Sequence, residues 1–108
     1  MGNFVYWIFL GIGIIFEVLG TVSMKLAEGF TKLVPSILVF VFYGISLISL
    51  IFVLKKLNVS VAYAIWAGLG TALIAVIGII WFKEPVSLIK IVSIVLIIAG
   101  IVGLELFD

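Results

Sequence analysis

The chain has 108 residues, of which 67% are hydrophobic and 10% are charged, and its mean hydropathy is +1.60. A water-soluble domain of this size needs far more polar surface to cover its core, so the composition indicates an integral membrane protein. The net charge of +1 and the lack of arginine exclude a nucleic-acid-binding surface, and the lack of cysteine and histidine excludes disulfides and removes the usual metal ligands and the usual general base.

Breaks in the apolar pattern divide the chain into four segments. A bilayer core about 30 Å thick is crossed by about 20 apolar residues of helix. We therefore predict four transmembrane helices within one domain of residues 1–108, at about residues 4–24, 34–54, 59–82 and 86–107. The predicted fold class is all-α, a compact four-helix membrane bundle with short loops.

The connections between these segments are short and contain residues that end or begin helices. Gly29 and Pro35 suit the first turn, Lys55 and Lys56 end the second segment, and a Lys-Glu-Pro sequence at Lys83 forms the third turn. The first segment has no basic start and no cleavage pattern, so we expect a retained helix. Four of the six lysines lie towards one membrane side of the predicted helices and two lie on the other. This small difference leaves both a fixed orientation and a dual orientation in the membrane open.

Glu17 is the one charged residue between Phe4 and Met24. Near the middle of a helix, its side chain is too short to reach the membrane surface, so it must face protein or a water-filled cavity. Such carboxylates are functional by default, although a protonated glutamate with one interhelical hydrogen bond would also explain it.

Small and aromatic residues are predicted around this carboxyl group. Gly13, Gly20 and Thr21 share its helix face, and small residues let another helix approach closely. In the third segment Tyr63 and Trp66 lie within the span and form a stripe. Such a stripe is often only packing, but aromatic faces beside an acid suit a lipophilic cation. The glycines at 68 and 70 and the small residues of the fourth segment predict a bend or close helix packing, and a dimer contact.

Three stretches of the sequence, FEVLGTVSMKLAEGFTKLVPS, SVAYAIWAGLGT and IVLIIAGIVGL, resemble the small multidrug resistance family over essentially the whole chain. The resemblance implies a multi-pass protein of the cell membrane that works as an antiparallel homodimer. It also implies that two membrane-embedded glutamates form one shared site, which binds either protons or a cationic substrate.

Transferred to this sequence, the resemblance makes Glu17 the proton- and substrate-binding carboxylate. It implies substrate-binding or pocket-lining positions at Trp7, Gly13, Gly20, Thr21, Tyr43, Ser46, Tyr63 and Trp66. It further implies a helix bend at Gly68 and Gly70, and a dimer contact on the fourth helix that includes Leu96, Ile97, Gly100 and Ile101.

Two departures from the guanidinium-selective branch of that family favour its multidrug branch. That branch typically has tryptophan where this chain has Gly20, and tends to have lysine near the end of the fourth helix, where this chain has Glu105. The function predicted is proton-coupled export of hydrophobic and quaternary ammonium cations, without an enzymatic activity, a metal or a cofactor.

The alternatives left open are a guanidinium-selective exporter, a non-transporting membrane assembly subunit, and a heterodimer encoded by paired genes. An intramembrane enzyme has little support, because no nucleophile–base pair is visible. The predicted partners are lipophilic cations, protons, membrane lipids and a second copy of the chain.

Overall fold

The computed structural model describes residues 2–107, with side chains described from Phe4 to Leu106. This part of the chain forms four α-helices: α1 Gly2–Leu26, α2 Leu33–Val53, α3 Val59–Ile80 and α4 Leu88–Phe107. All four are long and apolar enough to cross a membrane. The predicted all-α membrane fold is therefore confirmed, while Met1 and Asp108 of the predicted domain lie outside the described residues.

The helix ends differ from the predicted ones by up to two residues, most clearly around the third turn. Lys83 has a left-handed φ of 55°, and the Glu84 amide then donates to the Gly78 carbonyl at 3.0 Å. The Ser87 hydroxyl accepts a hydrogen bond of 3.1 Å from the Lys90 amide. Because Ser87 thus caps the helix, α4 begins at Leu88 rather than at 86.

The first connection reverses the chain within a few residues. Glu28, Gly29 and Phe30 all have positive φ values. The amides of Thr31 and Lys32 both donate to the Ala27 carbonyl, at 2.9 and 3.2 Å. These bonds satisfy a carbonyl that the end of α1 leaves without a helical partner, so α2 returns antiparallel to α1.

The helices form an open row rather than a closed bundle. Helix α1 packs against α2 and α3, and α4 packs mainly against α3. The described residues span 43 × 35 × 18 Å, so the molecule is thin in one direction. No described side chain of α4 is buried, which leaves one long apolar surface without a partner inside the chain.

In this row, helix α1 lies between α2 and α3. Its buried residues Leu10, Ile14 and Val18 form a core cluster with Val53 of α2 and with two residues of α3, Ala62 and Ile65. Glu17 lies on this central helix, one residue before Val18, so its position is fixed by packing on both neighbouring helices.

Candidate functional site

The Glu17 carboxyl group lies between α1 and α3. Its Oε2 atom is buried and has no hydrogen-bond partner among the described residues. A Cβ atom on Gly70 of α3 would lie 2.8 Å from Oε2, closer than real Cβ contacts allow. Glycine at position 70 therefore makes the space that the carboxyl group occupies, and one acceptor is left available for a proton or a ligand.

The other carboxyl oxygen is held by a pair of hydroxyl groups that leads to α2. Thr21 Oγ1 lies 3.4 Å from Glu17 Oε1 and 3.0 Å from the Glu17 carbonyl oxygen, and it shares a 2.5 Å hydrogen bond with the Tyr43 hydroxyl. A threonine hydroxyl has one proton to donate. If Thr21 donates to Glu17, Tyr43 must donate to Thr21, so the carboxyl group and the tyrosine are linked through one side chain.

Gly20 allows Tyr43 to reach this position. A Cβ on Gly20 would lie 2.7 Å from Tyr43 Cδ2, so the ring occupies the space of a side chain on α1. The Tyr43 hydroxyl also lies 4.0 Å from Met24 Sδ. The predicted residues Glu17, Gly20, Thr21, Tyr43 and Gly70 are thus brought together at one place.

The aromatic pair of α3 is present as a T-shaped contact. The ring centroids of Tyr63 and Trp66 are 5.5 Å apart, with an angle of 72° between the ring planes. Trp66 packs against the core cluster, and its Nε1 atom is buried without a hydrogen-bond partner in the described part of the chain. Tyr63 is 55% exposed. An unsatisfied buried polar group costs about 1–3 kcal/mol, so the Trp66 indole N–H is a donor available to a ligand.

Three other predicted site residues lie in helix packing rather than at the carboxyl group. Ser46 is fully buried and donates to the Gly13 carbonyl at 2.7 Å. Residue 13 lies one turn before Glu17 on α1, and its carbonyl is the one that accepts the Glu17 amide in a regular α-helix. Trp7 packs against the core cluster. Ser46 and Gly13 therefore join α2 to the turn that precedes Glu17.

The two glycines predicted to bend α3 each make close contacts. A Cβ on Gly68 would lie 3.1 Å from Ile101 Cδ1 and 3.3 Å from Ile97 Cγ2, whereas Gly70 faces Glu17. Ile97 and Ile101, predicted for the dimer contact, thus pack on α3 of the same chain. The other two residues of that prediction, Leu96 and Gly100, are exposed. Both the bend and the dimer contact stay predictions.

A pocket of about 180 Å³ lies between α1 and α3 and extends from Thr21 to the Lys25 end of α1. It was not predicted from the sequence. Glu84 contributes to its lining and lies so close to Gly78 that a Cβ there would collide with its carboxyl group. The signal available was a glycine in the last turn of α3, followed by a turn that contains Glu84. Within residues 2–107, no group of three acidic, histidine or cysteine side chains could hold a metal ion.

Comparison with known proteins gives one consistent result. A family profile described as Small Multidrug Resistance protein matches residues 5–97. The chain is 57% identical to the uncharacterized membrane protein YvaE of Bacillus subtilis, over 94% of this chain and 86% of that protein. It is 46% identical to the quaternary ammonium compound-resistance protein QacC of Staphylococcus aureus, over 94% of each chain. It is 40% identical to a guanidinium exporter of Yersinia pseudotuberculosis, over 93% of this chain and 96% of that one.

Replacing Gly70 by alanine is expected to displace the Glu17 carboxyl group, because the new Cβ would lie 2.8 Å from Oε2. The chemical shift of the Glu17 carboxyl ¹³C should therefore change in protein labelled at glutamate. The signal is assigned to Glu17 by its absence from the spectrum of Glu17→Gln. Gly11→Ala is the matched control, since nothing lies within 4 Å of a Cβ at that position of α1. Equal shifts in both variants would contradict the assigned contact.

Proposed function

The chain belongs to the small multidrug resistance family, and from this premise we propose that it is a proton-coupled antiporter. It exports hydrophobic and quaternary ammonium cations across the cell membrane, where its four helices make it a multi-pass protein. It has no enzymatic activity. The observation that carries this proposal is Glu17, an acid in the middle of a membrane helix with one buried oxygen that has no partner among the described residues.

The carboxyl group exchanges one positive charge for another. A charged side chain in the membrane interior is costly, so the carboxylate is stable only when a proton or a cation neutralises it. Thr21 holds Oε1 and leaves Oε2 for the proton or the cation. Binding of the cation therefore expels the proton, and binding of the proton releases the cation, which couples the two flows.

Aromatic side chains supply the rest of the substrate site. Tyr43 reaches the carboxyl group through Thr21, and Tyr63 and Trp66 form an edge-to-face pair on α3. Aromatic faces attract quaternary ammonium groups, most strongly where water is excluded. These groups suit a cation whose charge is spread and which offers no hydrogen-bond donors.

A second copy of the chain completes the site. The open row leaves the outer surface of α4 uncovered, including Leu96, which is 66% exposed, and Gly100, which has nothing within 4 Å of a Cβ. Small residues are typical of helix contacts in membranes. An antiparallel homodimer would join two such surfaces and bring two Glu17 carboxyl groups into one cavity, where they would titrate as a coupled pair.

The environment of Gly20 favours organic cations over guanidinium. A larger residue at this position would occupy the space of the Tyr43 ring, because even a Cβ would lie 2.7 Å from it. The ring therefore stands where the guanidinium-selective pattern has tryptophan. Identities of 46% and 40% to relatives of the two kinds do not separate the alternatives, so we base this choice on the site.

Glu17→Gln is expected to abolish proton-driven transport of tetraphenylphosphonium in proteoliposomes. It should also weaken equilibrium binding by about fivefold or more, because a charge pair at about 4 Å is worth about 1–4 kcal/mol between water and a partly buried site. Glu105→Gln, an exposed acid at the end of α4, is the control and should transport normally.

The same proteoliposomes test the alternative functions. Uptake of guanidinium without tetraphenylphosphonium would replace the proposed substrate class with guanidinium. Wild-type protein that binds no cation and releases no proton would indicate a non-transporting subunit. Normal export by Glu17→Gln would refute the mechanism whatever the substrate.

Cation affinity is expected to fall as the pH is lowered through the titration of Glu17, by about tenfold per pH unit for each proton that one cation displaces. Binding is measured by calorimetry in buffers of different ionisation enthalpy, which also counts the protons released. The residual binding of Glu17→Gln should not change over the same range. If binding by the wild type did not depend on pH, competition between the proton and the cation for Glu17 would be ruled out.

A cysteine at Leu96 is expected to form a disulfide between two chains on mild oxidation, since this residue lies near the middle of α4 and the native sequence has no thiol. Ile89→Cys is the matched control, because Ile89 is 79% exposed and lies two turns earlier on the same face. In an antiparallel pair that crosses at Leu96, its two copies would be about 21 Å apart along the helices, far beyond the reach of a disulfide. Cross-linking at Ile89 would instead indicate a parallel pair, and cross-linking at neither would exclude this surface.

A further inference from the structure

The pocket between α1 and α3 lies at an exposed, charged end of the helices and reaches Thr21, one turn from Glu17. Its inner end is Thr21, whose hydroxyl contacts the Glu17 carboxyl group. Its outer end contains Lys25 and Glu84, which are exposed, and its walls are formed mainly by Val22, Ile74, Ile77 and Phe82. The pocket therefore has mainly apolar walls, a carboxylate and an ammonium group at its mouth, and an inner end one helical turn from Glu17.

One surface of this pocket already binds a cation, and the cation belongs to the chain itself. The Lys25 ammonium nitrogen lies 5.9 Å from the centroid of the Phe82 ring, within the range of a cation–π contact. An aromatic ring in this position would attract an organic cation in the same way. Lys25 is thus a competitor for the place that such a cation would take.

The carboxylate at the mouth is held in place by the backbone. Glu84 donates its amide to the Gly78 carbonyl at 3.0 Å, and its side chain packs on Gly78, where any Cβ would collide with it. Its nearest positive partner is Lys90, with Nζ 3.7 Å from Oε1 and the two side chains 31% and 47% exposed. Pairs of this exposure contribute little, so Glu84 keeps most of its attraction for another cation.

We propose that this pocket is an outer binding site for lipophilic cations, in which the substrate displaces the Lys25 ammonium from Phe82 and lies beside Glu84. The inference rests on the substrate class of the proposed function. The volume of about 180 Å³ compares with the cavity of about 150 Å³ that holds a benzene molecule. One aromatic ring of a larger cation therefore enters, and the charge stays near the mouth.

The test measures tetraphenylphosphonium binding to the full-length Glu17→Gln protein, in which the central charge is absent. Weak binding should remain, and Lys25→Gln in this background should strengthen it about threefold because the competing ammonium is gone. Phe82→Leu should weaken it by a similar factor of about three. Glu84→Gln and Gly78→Ala should also weaken it, the first by removing the charge and the second by displacing it.

Lys55→Gln is the matched control for charge, since it removes one lysine at the opposite end, just after α2. It should leave the residual binding unchanged. The amide resonances of Gly78 and Glu84 provide a second readout, and tetraphenylphosphonium should shift them in the Glu17→Gln protein whether or not another variant folds.

The outcomes separate this inference from the proposed function. Wild-type binding that disappears completely in Glu17→Gln, without shifts at Gly78 and Glu84, would overturn the outer site and leave the central site intact. Lys25→Gln that weakens the residual binding, or that only equals Lys55→Gln, would also overturn it. Wild-type protein that binds no organic cation would refute both proposals.

Discussion

The cost of placing a carboxyl oxygen inside a membrane governs the arrangement of this protein. Glu17 Oε2 is buried, and no described group donates a hydrogen bond to it. In an apolar medium such a group must be neutralised, because water is not available to solvate it. The hydroxyl of Thr21 lies 3.4 Å from the other oxygen, and in the proposed mechanism Oε2 is left for a proton or an organic cation. Either one would neutralise the carboxylate, and this is how a single residue would couple two substrates under the proposed function.

The open row of helices is compatible with the same constraint. Helix α1 packs against α2 and α3, but α4 packs mainly against α3 and has no buried side chain in its described part. A closed bundle of four helices would cover Glu17 on every side and leave little room for a large cation. A thin layer, 18 Å in its shortest extent, can instead form one wall of a cavity that a second chain would complete in the proposed dimer.

The number of spans and the central acid were predictable from sequence, but the directions of many side chains were not. Glu17 is identified from the sequence by its charge alone, because no other charged residue occurs between Phe4 and Met24. Ser46 was expected in the substrate site, yet it donates to the Gly13 carbonyl, and Ile97 and Ile101 pack on Gly68 of the same chain. In a membrane the lipid-facing and protein-facing sides of a helix are both apolar. The hydrophobic pattern therefore does not show which side of α2 or α4 meets its neighbour.

The positions of glycines indicate helix contacts that the hydrophobic pattern does not. Three polar side chains of the described structure pack on a glycine of another segment so closely that a Cβ there would collide with them: Tyr43 at Gly20, Glu17 at Gly70 and Glu84 at Gly78. Each helical glycine costs about 1 kcal/mol relative to alanine, so these positions are not neutral choices. The cost is offset where the missing side chain lets a polar group leave the lipid and enter a helix interface. The contact between Gly78 and Glu84 lines the pocket between α1 and α3, so this glycine also shapes a cavity that the hydrophobic pattern does not indicate.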